Sequence, residues 1–425
     1  MSTFGKLLSV STFGESHGKA VGCILDGIPA ELPLSVDDLQ YQLNRRSPGQ
    51  SSITTQRKEK DIVEILSGTE QGVTLGTPIA MLVRNHDIKP SDYISTRDIP
   101  RPGHADFTYQ MKYGLRASSG GGRSSARETI ARVAAGTVAE AWLKHVYDTT
   151  CCCWVSSIGP HTIPADVASS LEGDPPTRDA VDRLGSFTFS SEGNLVDYEG
   201  NHYDPLFGSL LSIPPKVCVD PFAECVVTCC PHTPTAAKML AEIIKLREEG
   251  DSTGGITTCV LSSVPVGIGE PCFDKLEAEL AKAMLSLPAT KGFEIGDGFK
   301  GTCLRGSQHN DCFIPSSLHS SLLSTSTNHA GGTLGGISTG QNLVFRVAFK
   351  PVSSISLLQE TCTFNGEIRQ LGITGRHDPC VLPRAPPLVE AMAALVVADA
   401  ALRQRARSGN IPLKTIGPSL RENND

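Results

Sequence analysis

An α+β fold built from two related halves is predicted by the 425-residue sequence on three observations. The segment "GESHGKAVGCILDGIP" (14–29) aligns without gaps to "GDSTGGITTCVLSSVP" (250–265), sharing Gly, acid, Ser, any residue, Gly, then Cys, an aliphatic, Leu and a closing Pro. Each copy leads into a helix-forming stretch, "DDLQYQL" (37–43) and "DKLEAEL" (274–280). Further along, "GRSS" (122–125) and "GRHD" (375–378) each precede an alanine-rich helical segment. Repetition on this scale indicates an internal duplication of a strand–helix unit. Thr253 stands in the second copy where His17 stands in the first. The fold therefore does not require that histidine, and whatever it does is done by one half only.

In chain order, residues 20–29 read as a strand ending at Gly27 and Pro29. Ser35 then caps a helix with Leu39 and Leu43 four apart on one face. "VTLGTPIAMLVRN" (73–85) reads as strand with an internal Gly-Thr-Pro turn, and 86–121 as a long irregular polar stretch of the kind usually kept for function. A helix follows, with Ile130, Val133, Ala134, Val138, Ala141 and Trp142 at helical spacing. Residues 160–215, rich in Ser, Pro, Gly and Asp, read as an insertion or mobile loop region. The expected organisation is a first half over 1–150, that insertion, a second half over 216–408 and a disordered tail over 409–425.

Composition narrows the functional classes. With 39% hydrophobic and 20% charged residues the chain is globular. A net charge of −7 with two Trp and seven Tyr argues against a nucleic-acid surface, so an anionic ligand needs a local basic cluster. No apolar run reaches the roughly 18 residues of a membrane span. The 14 cysteines include "CCC" (151–153) and "CC" (229–230), but no CxxC pair or zinc spacing, so no metal site is expected. They read as small buried hydrophobes in a reduced, cytoplasmic protein whose folding motifs begin too early to leave room for a targeting peptide.

The His17 turn and four further clusters could carry chemistry. "FGESHG" (13–18) sets His17 in a glycine-bounded turn beside Ser16. "NRRSPGQSSITTQRKEKD" (44–61) carries Arg45, Arg46 and Arg57, whose planar forks suit phosphate or carboxylate. "RPGHAD" (101–106) puts His104 in a loop beside Asp106, and "GGGRSSARE" (120–128) leads glycines, Arg123 and two hydroxyls into a helix N-terminus, an anion site without the lysine ending of a nucleotide-binding P-loop. Near the end, "HAGGTLGGISTG" (329–340), "KPVSS" (350–354) and "GRHDPC" (375–380) form the fourth group; Asp378 beside Arg376 is either a base or half of a surface ion pair. Together they supply what an enzyme acting on a small polyanion needs: loop histidines, a carboxylate, hydroxyls and arginines. No Rossmann fingerprint is evident.

"GESHG…VGCILDGIP", "GGGRSSARET…RVAAGTVAE" and "GRHDPC…PRAPPLVEAMAAL", in this order and separation, resemble the three signature segments of the chorismate synthase family, and "LPATKGFEIGDGF" is similarly family-like. The resemblance covers most of the chain outside 160–215 and the tail. It implies a β-α-β sandwich, with helices between two antiparallel sheets, assembled as a homotetramer. It implies a lyase of the shikimate pathway and aromatic amino acid biosynthesis. Such an enzyme converts 5-enolpyruvylshikimate 3-phosphate to chorismate by 1,4-anti elimination of phosphate, using reduced FMN without net redox change. Bifunctional members also reduce their flavin with NADPH, a point the sequence leaves open. By resemblance His104 is the histidine near the phosphate, His17 the one by flavin N1, and Asp378 the carboxylate acting with flavin N5 as base, with Ser16 and Ser125 supporting the relay. Arg46 and Arg57 are assigned to substrate, and Arg123, Ser124, Ser125, Ala289, Gly335, Lys350, Ser353, Ser354 and Arg376 to FMN. Ser52 and Pro288 depart from the family pattern, at an anion-site arginine and a flavin-site asparagine.

Overall fold

Strand Ala20–Asp26 alternates its side chains, burying Val21, Cys23 and Leu25 and exposing Ile24, so one face of its sheet meets a core. The molecule is described here from a computed structural model, which covers residues 2–48, 59–87, 97–117, 120–213, 225–316, 323–373 and 378–408. The first sheet is antiparallel in the order Thr3–Phe4, Ser9–Gly14, Ala20–Asp26, Ile79–Arg84, Val63–Ile65. The second runs His161–Thr162, Thr150–Ile158, Gly255–Ser262, Leu343–Phe349, Thr290–Ile295, also antiparallel. The repeated segments supply the middle strand of each sheet, Ala20–Asp26 and Gly255–Ser262.

The helices are α1 (Val36–Arg46), α2 (Asp106–Tyr113), α3 (Thr129–Tyr147), α4 (Ala165–Gly173), α5 (Arg178–Leu184), α6 (Thr233–Glu249), α7 (Leu276–Leu285), the short α8 (Gly298–Gly301) and α9 (Gly306–His309), and α10 (Pro386–Ser408). Ser35 caps α1 as expected, in a reciprocal box with Asp38. Helix α3 packs on the first sheet, α10 on the second, and the two pack on each other, giving sheet–helix–helix–sheet layers. Every residue of α10 from Pro386 to Ala401 is buried, which explains why its sequence is apolar all round. Where the helices cross, a Cβ on Gly136 would lie 2.4 Å from the Cα of Ala391. Gly136→Ala is therefore expected to destabilise the protein. Overpacking costs about 1–3 kcal/mol, and the better helix propensity returns only about 1 kcal/mol. A lowered urea midpoint at unchanged slope is the readout.

Two stretches differ from the sequence reading. Within 86–121, residues 106–113 form α2, ended by Gly114 in the left-handed region. Residues 160–215 carry α4, α5 and strands Ser186–Phe189, Leu195–Asp197 and His202–Tyr203, which join Val226–Val227 in a small antiparallel sheet. These elements are too short to produce a visible period. The segment is anchored to the body by ion pairs: Arg178 with Glu140 and Glu390, and Asp182 with Arg45. Tail residues 409–425 lie outside the described residues. Cysteines 151–153 are all buried, because their strand is covered on both faces.

Candidate active site

The His17 turn is built by its glycines. Gly14 sits at φ +89°, and a Cβ there would meet the Ala20 carbonyl at 2.1 Å. The turn closes with Gly18 N–H donating to Glu15 O at 3.0 Å. Ser16 is buried, and its Oγ lies 3.1 Å from His17 Nδ1. Arg123 donates to Gly14 O at 3.1 Å and to Thr12 Oγ1 at 2.5 Å, tying this turn to the glycine-rich loop ahead of α3. In the second copy Thr253 N–H donates to Pro379 O at 3.0 Å, so each turn docks on the segment preceding its own long helix. Asp378 belongs to that second segment and pairs with Arg384.

The "RPGHAD" loop leaves the first half and docks on the second. A Cβ on Gly103, at φ +69°, would fall 2.5 Å from Ser353 Oγ, so close docking requires glycine. Lys350 Nζ donates to Gly103 O at 2.8 Å and to Ser353 Oγ at 2.6 Å. His104 Nδ1 is 3.0 Å from Pro102 O, and its Nε2 2.9 Å from Ser354 Oγ. The carbonyl can only accept, so Nδ1 carries hydrogen and Nε2 faces the serine. Arg101 grips Asp106 at 2.7 and 3.0 Å, with Arg116 3.3 Å away. Burial pushes the Asp106 carboxyl up, but these arginines hold it below its ordinary value, so the pair stays ionised and fixes the loop.

Within the first half lies a cleft of about 280 Å³, lined by Glu15 of the His17 turn, Ala105 and Asp106 after His104, and Gly120–Ser124 of the glycine-rich loop. Tyr109, Tyr113 and Leu115 form its apolar wall. Behind it runs a buried chain of charge. Arg46 is 3% exposed, donating to Asp61 at 3.0 Å, Thr129 Oγ1 at 3.2 Å and Ala126 O at 2.9 Å. Burial lowers its pKa to about 9 against the pull of Asp61, with Arg384 and Arg127 adding to the lowering; it stays charged at neutral pH. Asp61 bridges to Arg127 at 2.9 Å, and Arg127 Nε donates to Asn85.

Of the residues expected at the site, Arg123 and Ser124 line the cleft, His17 and Ser16 sit in the turn that Arg123 holds, and Ser125 caps the short helix that follows. His104, Lys350, Ser353 and Ser354 form the junction between halves, which Ala289 joins by accepting from Lys350 N at 2.9 Å. Arg46 faces Asp61 rather than open space. Gly335 turns a hairpin packed against 268–276, where Gly336 O accepts from Leu276 N. Arg57, Arg376 and Ser52 lie outside the described residues. Asn85, Asp61 and Arg127 carried no sequence signal, because their importance lies in partners distant along the chain.

A cleft with an apolar wall, flanked by the turns that carry His17 and His104 and lined by Arg123 and Ser124, suits acid–base chemistry on an anionic small molecule. The chorismate synthase family model matches residues 8–402. Chorismate synthases of Toxoplasma gondii and Schizosaccharomyces pombe are 45% and 50% identical to this chain, covering 97% and 96% of it and 98% and 97% of their own lengths. A solved structure titled "Crystal Structure of Chorismate Synthase" superposes with a TM-score of 0.66 at 28% identity, over 94% of this chain and 93% of its own. The chain belongs to the chorismate synthase family.

The residues also fit the flavin that the family's reaction calls for. Lys350 is held below its ordinary pKa by burial and by neighbouring Lys291, two cations gathered as an anion site requires. Helix N-terminal amides with Ser125 as cap, and the Tyr109–Tyr113 wall, offer anion and ring contacts nearby.

Proposed function

We propose that this enzyme converts 5-enolpyruvylshikimate 3-phosphate to chorismate and phosphate by 1,4-anti elimination, the last step of the shikimate pathway. The observation that carries the reading is His104, held at both nitrogens where the two halves meet and adjoining the Lys350 anion site. In its protonated form, with hydrogen on both nitrogens, His104 donates the Nε2 proton to the departing phosphate and becomes the neutral Nδ1–H ring, with Ser354 positioning it. Asp378, beside Arg384, accepts the proton lost from carbon. Ser16 and His17 share one turn, and Ser125, in the loop ahead of α3, is assigned to support their relay. Arg57 is assigned to substrate anion, and Arg46, already committed to Asp61, acts through its field.

Reduced FMN, when bound, lends electron density transiently to the elimination and recovers it. Arg123, Ser124, Ser125, Ala289, Lys350, Ser353 and Ser354 are the described residues assigned to hold it, and Gly335 and Arg376 complete the set. The enzyme is further proposed to act in the cytoplasm as a homotetramer. Exposed Phe273, Phe299 and Leu358 suit contact with further copies. No helix among the described residues is long and apolar enough to cross a membrane.

An anaerobic assay tests the reading. Substrate and FMN are supplied with NADPH as the only reductant, or with chemically prereduced FMN, while chorismate absorbance and phosphate release are followed. Product with prereduced FMN is the expected result. Product with NADPH alone adds an intrinsic flavin reductase activity. No product in either arm overturns the proposal.

A further inference from the structure

Asn85 follows strand Ile79–Arg84 and is buried behind the His17 turn. Its side-chain amide donates to Glu15 O at 3.1 Å and to Gly18 O at 2.7 Å, the two residues flanking Ser16–His17. Its main-chain N–H donates to Lys19 O at 3.0 Å. The amide oxygen accepts from Arg127 Nε. Two carbonyls need a donor and a guanidinium needs an acceptor, so the partners fix which way the amide faces. Asn85 is itself held from the far side, since Glu59 accepts from the N–H groups of His86 at 3.2 Å and Asp87 at 3.1 Å. Through Arg127 and Asp61 the same amide is connected to Arg46 at the end of α1.

We infer that Asn85 is the positioning residue of the His17 turn: it clamps the turn by both flanking carbonyls and sets it in register with the Arg127–Asp61–Arg46 chain. A short side chain carrying both a donor and an acceptor is required. Aspartate at this position keeps the bond from Arg127 but aims a carboxylate oxygen at two carbonyl oxygens, so the turn is pushed away while the charge chain survives. The inference rests on the assignment of His17 to the active site.

Asn85→Asp tests it in the full-length enzyme. kcat is expected to fall about 10²-fold, the scale of a misplacement near 1 Å, with little change in KM. The same substitution made in a His17→Asn background is expected to add almost nothing, because its effect passes through His17. In flavin-free protein with 13C-labelled histidine, the His17 Cε1–H signal, assigned by its loss in His17→Asn, is expected to move; among the other ten of the 11 histidines, His86, next to the substitution, shifts by proximity and the remaining nine stay in place. An unmoved His17 signal, an unchanged kcat, or an equal loss in both backgrounds overturns the inference. Wild-type turnover by His17→Asn overturns the underlying assignment as well, and so separates the two failures. If Asn85→Asp does not fold, Asn85→Ser, which keeps one donor and no opposing charge, is read by the same signal.

Discussion

Replacement of His104 by alanine lowers kcat about 10³-fold, the middle of the range for a lost general acid, while folding is retained. The ring is part-buried in a loop whose shape is set by other groups, the Arg101–Asp106 pair and the seat of Gly103 on Ser353. Removing the imidazole therefore takes away the proposed proton donor without dismantling its surroundings. Ser354→Ala separates orientation from chemistry. With Nδ1 still fixed by Pro102 O, that variant loses only the partner of Nε2 and is expected to fall by a smaller factor, on the order of tenfold. The measurement is single-turnover phosphate release with prereduced FMN. Equal losses in the two variants would show that the serine, not the imidazole, is the group that matters.

Replacement of Glu390 by alanine lowers global stability by about 3–5 kcal/mol, the cost of leaving buried charge uncompensated. Glu390 is fully buried in α10. It accepts from Arg45 at 2.8 Å, Gln42 at 3.1 Å and Cys153 N at 2.9 Å, with Arg178 2.9 Å away. Burial pushes its carboxyl up, yet Arg178 and Arg45 outweigh this and leave it below its ordinary value. A depressed folded pKa contributes stability above the unfolded value, about 4.3, and that contribution is lost as pH falls through the folded value. Glu140 works in the opposite sense, raised by burial and by repulsion from Glu390 against the pull of Arg178. The gap in urea midpoint between wild type and Glu390→Gln is expected to be widest near neutrality and to close below about pH 4. A gap independent of pH would show that Glu390 contributes packing rather than charge.

The same residues show what a sequence can and cannot reveal. The repeat was legible because glycine, cysteine and aliphatic positions of a strand keep their spacing after duplication, and the repeated strand lies in the middle of each sheet. His17 and His104 were legible because each lies within a short glycine-marked turn. Helix α2 was hidden by its polar surroundings, and the elements of 160–215 by their brevity. Glu390 was invisible in a different way. Its partner Arg45 lies 345 residues away, and nothing local distinguishes it from any glutamate on a helix. Arg46 is assigned to substrate by resemblance alone; what the sequence does not show is that its guanidinium is directed into the protein by Asp61, which only the folded chain brings within reach.

The loop of residues 101–106 belongs to one repeat and rests on the other. The seam between the repeats is therefore bridged by a loop that one supplies and the other seats. Before the gene was doubled, an ancestor of half this length could have formed such a seam only by two identical chains meeting, each offering the same turn and the same loop to its twin. Joining them end to end ended that obligatory sameness. The two turns were then free to differ, and one now carries an imidazole where the other carries threonine.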